Sequence, residues 1–84
     1  MPYFVYIIQS QKDESYYIGS TRDLDDRLQR HNKGRTKYTK VKGPWKLAFS
    51  EQHPDRSSAM KRELEIKRHK SRKYIESLVR TSPP

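Results

Sequence analysis

The chain has 84 residues, 31% of them hydrophobic and 35% charged, and carries a net charge of +9 at pH 7. A chain this short buries only about 60–65% of its unfolded surface, so a single domain with a thin core is expected. It contains no cysteine, which excludes a disulfide framework and a thiolate zinc site, and its excess of basic charge points to polyanionic partners such as nucleic acid.

Residues 3–9, Tyr-Phe-Val-Tyr-Ile-Ile-Gln, predict a strand buried on both faces. The polar stretch Ser10 to Ser15 reads as a turn, and Tyr16-Tyr-Ile-Gly-Ser20 as the returning strand of a hairpin. A helix follows, with Ser20 or Thr21 as its cap and Asp23, Asp25 and Asp26 near the positive end of its dipole. Leu24 and Leu28 form its core stripe, and Gly34 is a natural C-terminal stop. From Lys33 to Lys46 there is no acidic residue, and Gly43-Pro44 marks a turn. Trp45 to Ser50 alternates as a third strand, with Trp45, Leu47 and Phe49 expected on one side. Asp55 or Ser57 caps a helix running to about Lys70, with Ala59, Met60, Leu64 and Ile66 or Lys67 as its apolar positions. A last helix, Lys73 to Val79, offers Tyr74, Ile75, Leu78 and Val79 to the core. The order ββαβαα predicts an α/β sandwich, a three-stranded antiparallel sheet flanked by helices. The domain is expected to span 1–80, with 81–84 as a disordered tail.

The longest apolar run, Phe4 to Ile8, is far shorter than the ~20 residues of a membrane span. No basic region precedes it, so a secretory leader is not expected and a cytoplasmic location is. His31, His53 and His69 are scattered without ligand-pair spacing.

Three features bear on chemistry. If Tyr6 pairs with Gly19 and Ile8 with Tyr17, then Tyr6 and Tyr17 share one face as diagonal neighbours, and Gly19 leaves space opposite the Tyr6 ring. A one-residue slip would separate the two phenols, which would then be ordinary core aromatics. On the first helix, Arg27 and His31 stack on one face beside the core stripe. The bland alternative is helix pairing of Asp23 with Arg27 and Asp26 with Arg30, worth about 0.3–0.5 kcal/mol each. On the later helix, Glu63 lies four residues after Ala59 and three before Ile66, so it points along the apolar stripe. A carboxylate there needs compensation, either by a divalent cation or by Lys67 at i+4.

In this order, Phe4-Val5-Tyr6, Tyr17-Ile18-Gly19, Arg27 on a following helix and Glu63 on a later one, the chain resembles the GIY-YIG nuclease superfamily. Gly19-Ser20-Thr21, Arg27-Leu28, His31-Asn32-Lys33-Gly34, Tyr38-Thr39, Pro44-Trp45 and Ala59-Met60-Lys61-Arg62-Glu63 with Ile66-Lys67 extend the likeness over residues 3–75. It is most similar to the compact stand-alone UPF0213/YhbQ-like group. Phe4 stands where the family tripeptide begins with glycine, and no asparagine follows Asn32, although many members carry a late one.

The resemblance implies a DNA endonuclease using one divalent ion, Mg2+ or Mn2+, held by Glu63. Tyr6 acts as the base toward water, Tyr17 positions water or phosphate, Arg27 stabilises the transition state, and His31 takes the proton. Around this site Lys33, Arg35, Lys37, Lys40, Lys42, Lys46 and Lys67 can contact phosphates, with Tyr38 as a base-stacking ring. Lys61, Arg62, Arg68, Lys70, Arg72 and Lys73 add to the same charge. Low sequence specificity is expected, with single-stranded or branched DNA favoured, RNA also a candidate, and no membrane partner. A monomer is expected. The competing function is a non-catalytic nucleic-acid-binding module on the same scaffold.

Overall fold

A computed structural model describes residues 2–34, 42–69 and 71–81. The elements run β1 (Tyr3–Ser10), β2 (Tyr16–Thr21), α1 (Leu24–Asn32), β3 (Trp45–His53), α2 (Arg56–His69) and α3 (Arg72–Thr81). The expected order ββαβαα and the α/β sandwich are therefore present, as a three-stranded antiparallel sheet in the order β2-β1-β3. The last helix runs to Thr81, the first residue of the segment expected as a tail.

β1 is the central strand, and its period-2 alternation divides the core. Val5 packs with Ala59 and Ile66 of α2, joined by Ile75 and Leu78 of α3. Tyr6 and Ile8 face the other way and pack with Trp45, Tyr17, Leu24 and Leu28 of the α1 layer. No helix among the described residues is long and apolar enough to cross a membrane.

Three local expectations change. Asp23, not Ser20 or Thr21, caps α1, its carboxylate accepting the Asp26 N–H at 3.0 Å. Thr21 belongs to β2, and its hydroxyl instead accepts the Asp23 N–H at 3.1 Å. In β3 the register shifts opposite Ile7 and Ile8, so that Ile8 faces Leu47 while Ile7 faces Phe49. The extra residue turns Phe49 to the face opposite Trp45 and Leu47, because one inserted residue inverts every later side chain. On α2 the buried positions are Ala59 and Ile66, whereas Met60 and Leu64 are 44% and 53% exposed. The helix presents only a narrow stripe to a small sheet, and these two lie beyond its edge.

Other expectations hold at their residues. Gly34 ends α1 with φ 71°, a left-handed conformation that glycine adopts without a Cβ penalty. Asp55 caps α2, accepting the Ser58 N–H at 2.8 Å.

Candidate active site

The hairpin pairs Tyr6 with Gly19 and Ile8 with Tyr17, which puts both phenols on the α1 face of the sheet. The Tyr6 ring lies directly over Gly19. A Cβ at that position would come 2.5 Å from Oη and 2.7 Å from Cζ of Tyr6, so only glycine leaves room for the ring.

His31 comes from the last turn of α1 and is buried, 5% exposed, beside Tyr6 at 2%. Its Nε2 lies 2.9 Å from Tyr6 Oη. The imidazole sits between the two phenols, with ring centroids 5.9 Å from Tyr6 and 4.8 Å from Tyr17. Burial first, then the charge of Arg27, lowers the His31 pKa. Burial pushes the Tyr6 pKa up to about 12; Arg27 opposes this through its charge and a hydrogen bond, while Tyr17 and Glu63 add to it. A protonated phenol beside a neutral imidazole lets Tyr6 donate to Nε2 in the tautomer that carries its ring proton on Nδ1.

Arg27 lies one turn before His31 on the same helix. The bland pairing is realised only in part, since Asp26 binds Arg30 at 3.0 Å but Asp23 is committed to the cap. Arg27 is left without a carboxylate partner among the described residues, and its Nε is buried with no hydrogen bond. A donor in that condition costs about 1–3 kcal/mol. Such a cost is offset when an anionic oxygen reaches the guanidinium.

Glu63 does lie on the inward stripe of α2, between the buried Ala59 and Ile66, with its side chain 19% exposed. Its charge is felt at the Tyr6 phenol. Lys67 Nζ binds its Oε2 at 2.6 Å, the i+4 pairing that the sequence offered as the structural alternative. Among the described residues no group of three or more His, Cys, Asp or Glu side chains could hold a metal. One carboxylate nevertheless suits a hard cation such as Mg2+, which keeps several waters and takes its other oxygens from substrate phosphate. The donor set fits an ion shared with substrate, provided Lys67 moves aside.

The basic side chains are dispersed. Lys33 is exposed at the C-cap of α1, close in sequence to His31. Lys42 binds Asp13 of the hairpin turn at 3.1 Å. Lys46 pairs opposite Gln9, and so belongs to the sheet face away from the phenols. Arg35, Lys37, Tyr38, Lys40 and Lys70 lie outside the described residues.

Asn32 holds a position that motif spacing does not explain. Its Oδ1 accepts the Trp45 N–H at 2.5 Å, and its Nδ2 donates to the Trp45 carbonyl at 3.1 Å. This two-bond clamp ties the end of α1 to the first residue of β3 and thereby fixes the adjacent His31. The available hint was an amide side chain one residue after the histidine and two before Gly34.

Comparison with known proteins bears on the family and the fold. The family model described as GIY-YIG catalytic domain matches residues 2–75. UPF0213 proteins of Staphylococcus aureus strains Mu3 and Mu50 are 42% identical over 74 residues, covering 87% of this chain and 89% of theirs. The solution NMR structure of the UPF0213 protein BH0048 from Bacillus halodurans is 38% identical, with a TM-score of 0.62 over 100% of this chain and 89% of that one.

Proposed function

Since the chain belongs to the GIY-YIG family of nuclease-type catalytic domains, we propose that it is a divalent-metal-dependent endonuclease that hydrolyses DNA phosphodiester bonds with low sequence specificity. The observation that carries this reading is the buried Tyr6–His31 hydrogen bond beside an Arg27 that has no carboxylate partner among the described residues and whose buried Nε is unbonded.

With the His31 ring proton on Nδ1, the Tyr6 hydroxyl donates to Nε2 and its oxygen can accept a hydrogen bond from an attacking water. As the water oxygen bonds to phosphorus, one water proton passes to Tyr6 and the phenol proton passes to Nε2. The relay avoids a free phenolate, which burial disfavours. The P–O bond breaks with its electron pair going to the leaving oxygen. Arg27 meets the equatorial phosphate oxygens with planar donors. Tyr17, on the same face as Tyr6, orients water or phosphate. A Mg2+ or Mn2+ ion held by Glu63 supplies Lewis-acid stabilisation of the developing charge. Lys33, Lys67 and the basic segment around residues 35–40 add sequence-independent phosphate contacts. A small site with sequence-independent phosphate contacts suits single-stranded or branched DNA, with RNA also a candidate, acted on by a monomer in the cytoplasm.

A non-catalytic binding module draws support from one observation, the Lys67 ion pair that already neutralises Glu63. Labelled single-stranded and duplex DNA, incubated with Mg2+ or Mn2+ with and without chelator, separates the two. Cleavage that stops with chelator or in Glu63→Ala supports the enzyme. Retarded but intact DNA supports the binding module, and faster cutting of duplex overturns the substrate preference.

A further inference from the structure

A polar cleft of about 300 Å³ opens on the N-terminal side of α1, where β2 passes into the helix. Arg22, Arg27 and Arg30 line it, against two carboxylates, Asp23 and Asp26. Those carboxylates are already engaged. Asp23 accepts the Asp26 N–H at the helix cap, and Asp26 binds Arg30 at 3.0 Å. Arg22 and Arg27 remain as guanidinium groups without an ion pair among the described residues, while Thr21 and Tyr3 complete the wall. Three guanidinium groups against two carboxylates leave the cleft cationic and polar, with Arg22 outside any ion pair among the described residues and Arg27 hydrogen-bonded to the Tyr6 phenol but with its Nε unpartnered.

Arg27 is common to this cleft and to the Tyr6–His31 cluster, with which it interacts through the phenol. An anion in the cleft thus lies one side chain away from the phosphate on which the cluster acts. We infer that the Arg22 side of this cleft binds the phosphodiester adjacent to the one being cleaved, so that full recognition requires a strand with two successive phosphates. This rests on the reading of the phenol cluster as a phosphodiester site, and it makes that site selective for internal positions of a strand over an isolated diester. Charge-assisted guanidinium contacts to phosphate are short and directional, which suits this role better than the dispersed lysines.

Binding is read by NMR titration in excess chelator, which keeps it separate from cleavage. The probes are a thymidine dinucleotide with one phosphodiester and a trinucleotide with two. The trinucleotide should bind roughly tenfold tighter and shift the Arg22 Nε–Hε and Thr21 amide signals, while both ligands shift His31. Arg22→Ala should bring the trinucleotide down to the affinity of the dinucleotide and leave the latter unchanged. Arg80→Ala, which removes the same charge from an exposed position on α3, should preserve the tenfold ratio. Equal affinities in the wild type, or a ratio that survives Arg22→Ala, overturn the subsite. If His31 responds to both ligands in that case, the phosphodiester reading of the cluster stands alone. Absence of a His31 response overturns both.

Discussion

The two faces of the sheet are built from one strand on different principles. Toward α2 and α3, β1 presents Val5 to Ala59, Ile66 and Leu78, a mainly aliphatic contact joined by Tyr3 and Tyr74. Toward α1, residues one step along the same strand bring a phenol against an imidazole, with a second phenol and an indole close by. Burying an apolar side chain contributes about 1.5–3 kcal/mol, whereas a buried polar group costs free energy unless its hydrogen bonds are made. The difference teaches that the aliphatic layer holds the fold and the aromatic layer tolerates strained electrostatics, including an orphaned Arg27 Nε.

Substitutions on the two faces should therefore break different properties. Ile66→Ala removes a fully buried side chain from the aliphatic layer, and should lower unfolding free energy by about 2–5 kcal/mol in urea titrations. Cleavage per folded molecule should stay unchanged; a loss of turnover beyond the unfolded fraction would show that the faces are not separable. Arg27→Ala should do the reverse, lowering turnover by roughly a hundredfold, about 2.7 kcal/mol of barrier, with little change in the urea midpoint. If only affinity weakens, its transition-state role is wrong.

Between these extremes lies Asn32→Ala, which removes the two hydrogen bonds that tie Trp45 to the end of α1. The expected cost is about 1–3 kcal/mol of stability. It should be accompanied by loss of the downfield Tyr6 hydroxyl signal in NMR as His31 loses its fixed position. Retention of that signal would confine Asn32 to a purely structural role.

Much of this division was legible in the chain, and what was missed has physical causes. The polar stretch Ser10 to Ser15 announced the hairpin but left its register open by one residue, and the structure adopts the register that pairs Tyr6 with Gly19. Helical spacing gave the faces of Arg27, His31 and Glu63, but only the family resemblance singled them out as site residues. The inversion of Phe49 was hidden because a bulge leaves no mark in alternation that still looks regular through Trp45, Leu47 and Phe49. Met60 and Leu64 read as core because hydropathy reports what could be buried, not how wide a three-stranded sheet is. The availability of Arg27 depends on whether Asp23 caps the helix or pairs with the arginine, a competition between two local bonds that spacing alone does not decide.

The smallest effect is the most specific to the aromatic face, and it appears as pH dependence. Tyr6, Tyr17 and Arg27 surround His31, whose folded-state pKa lies below the usual 6.5. The unfolded chain therefore binds a proton that the folded one refuses as pH falls below about 6.5, and stability declines until the lowered pKa is passed. The slope from this one group is at most about 1.4 kcal/mol per pH unit. At the other end, Tyr6 ionises near pH 10 when unfolded but only near 12 when folded, so its contribution is lost as pH rises between those values. Asp13 and Asp55 are lowered by hydrogen bonds and act only on the acid side of about pH 4, outside the histidine window. In urea titrations from pH 7 to pH 5, His31→Gln should flatten the decline, while Ile66→Ala should shift the whole curve downward without changing its shape. If His31→Gln leaves the slope intact, the imidazole is not held neutral by the aromatic face, and the proton relay through Tyr6 loses its acceptor.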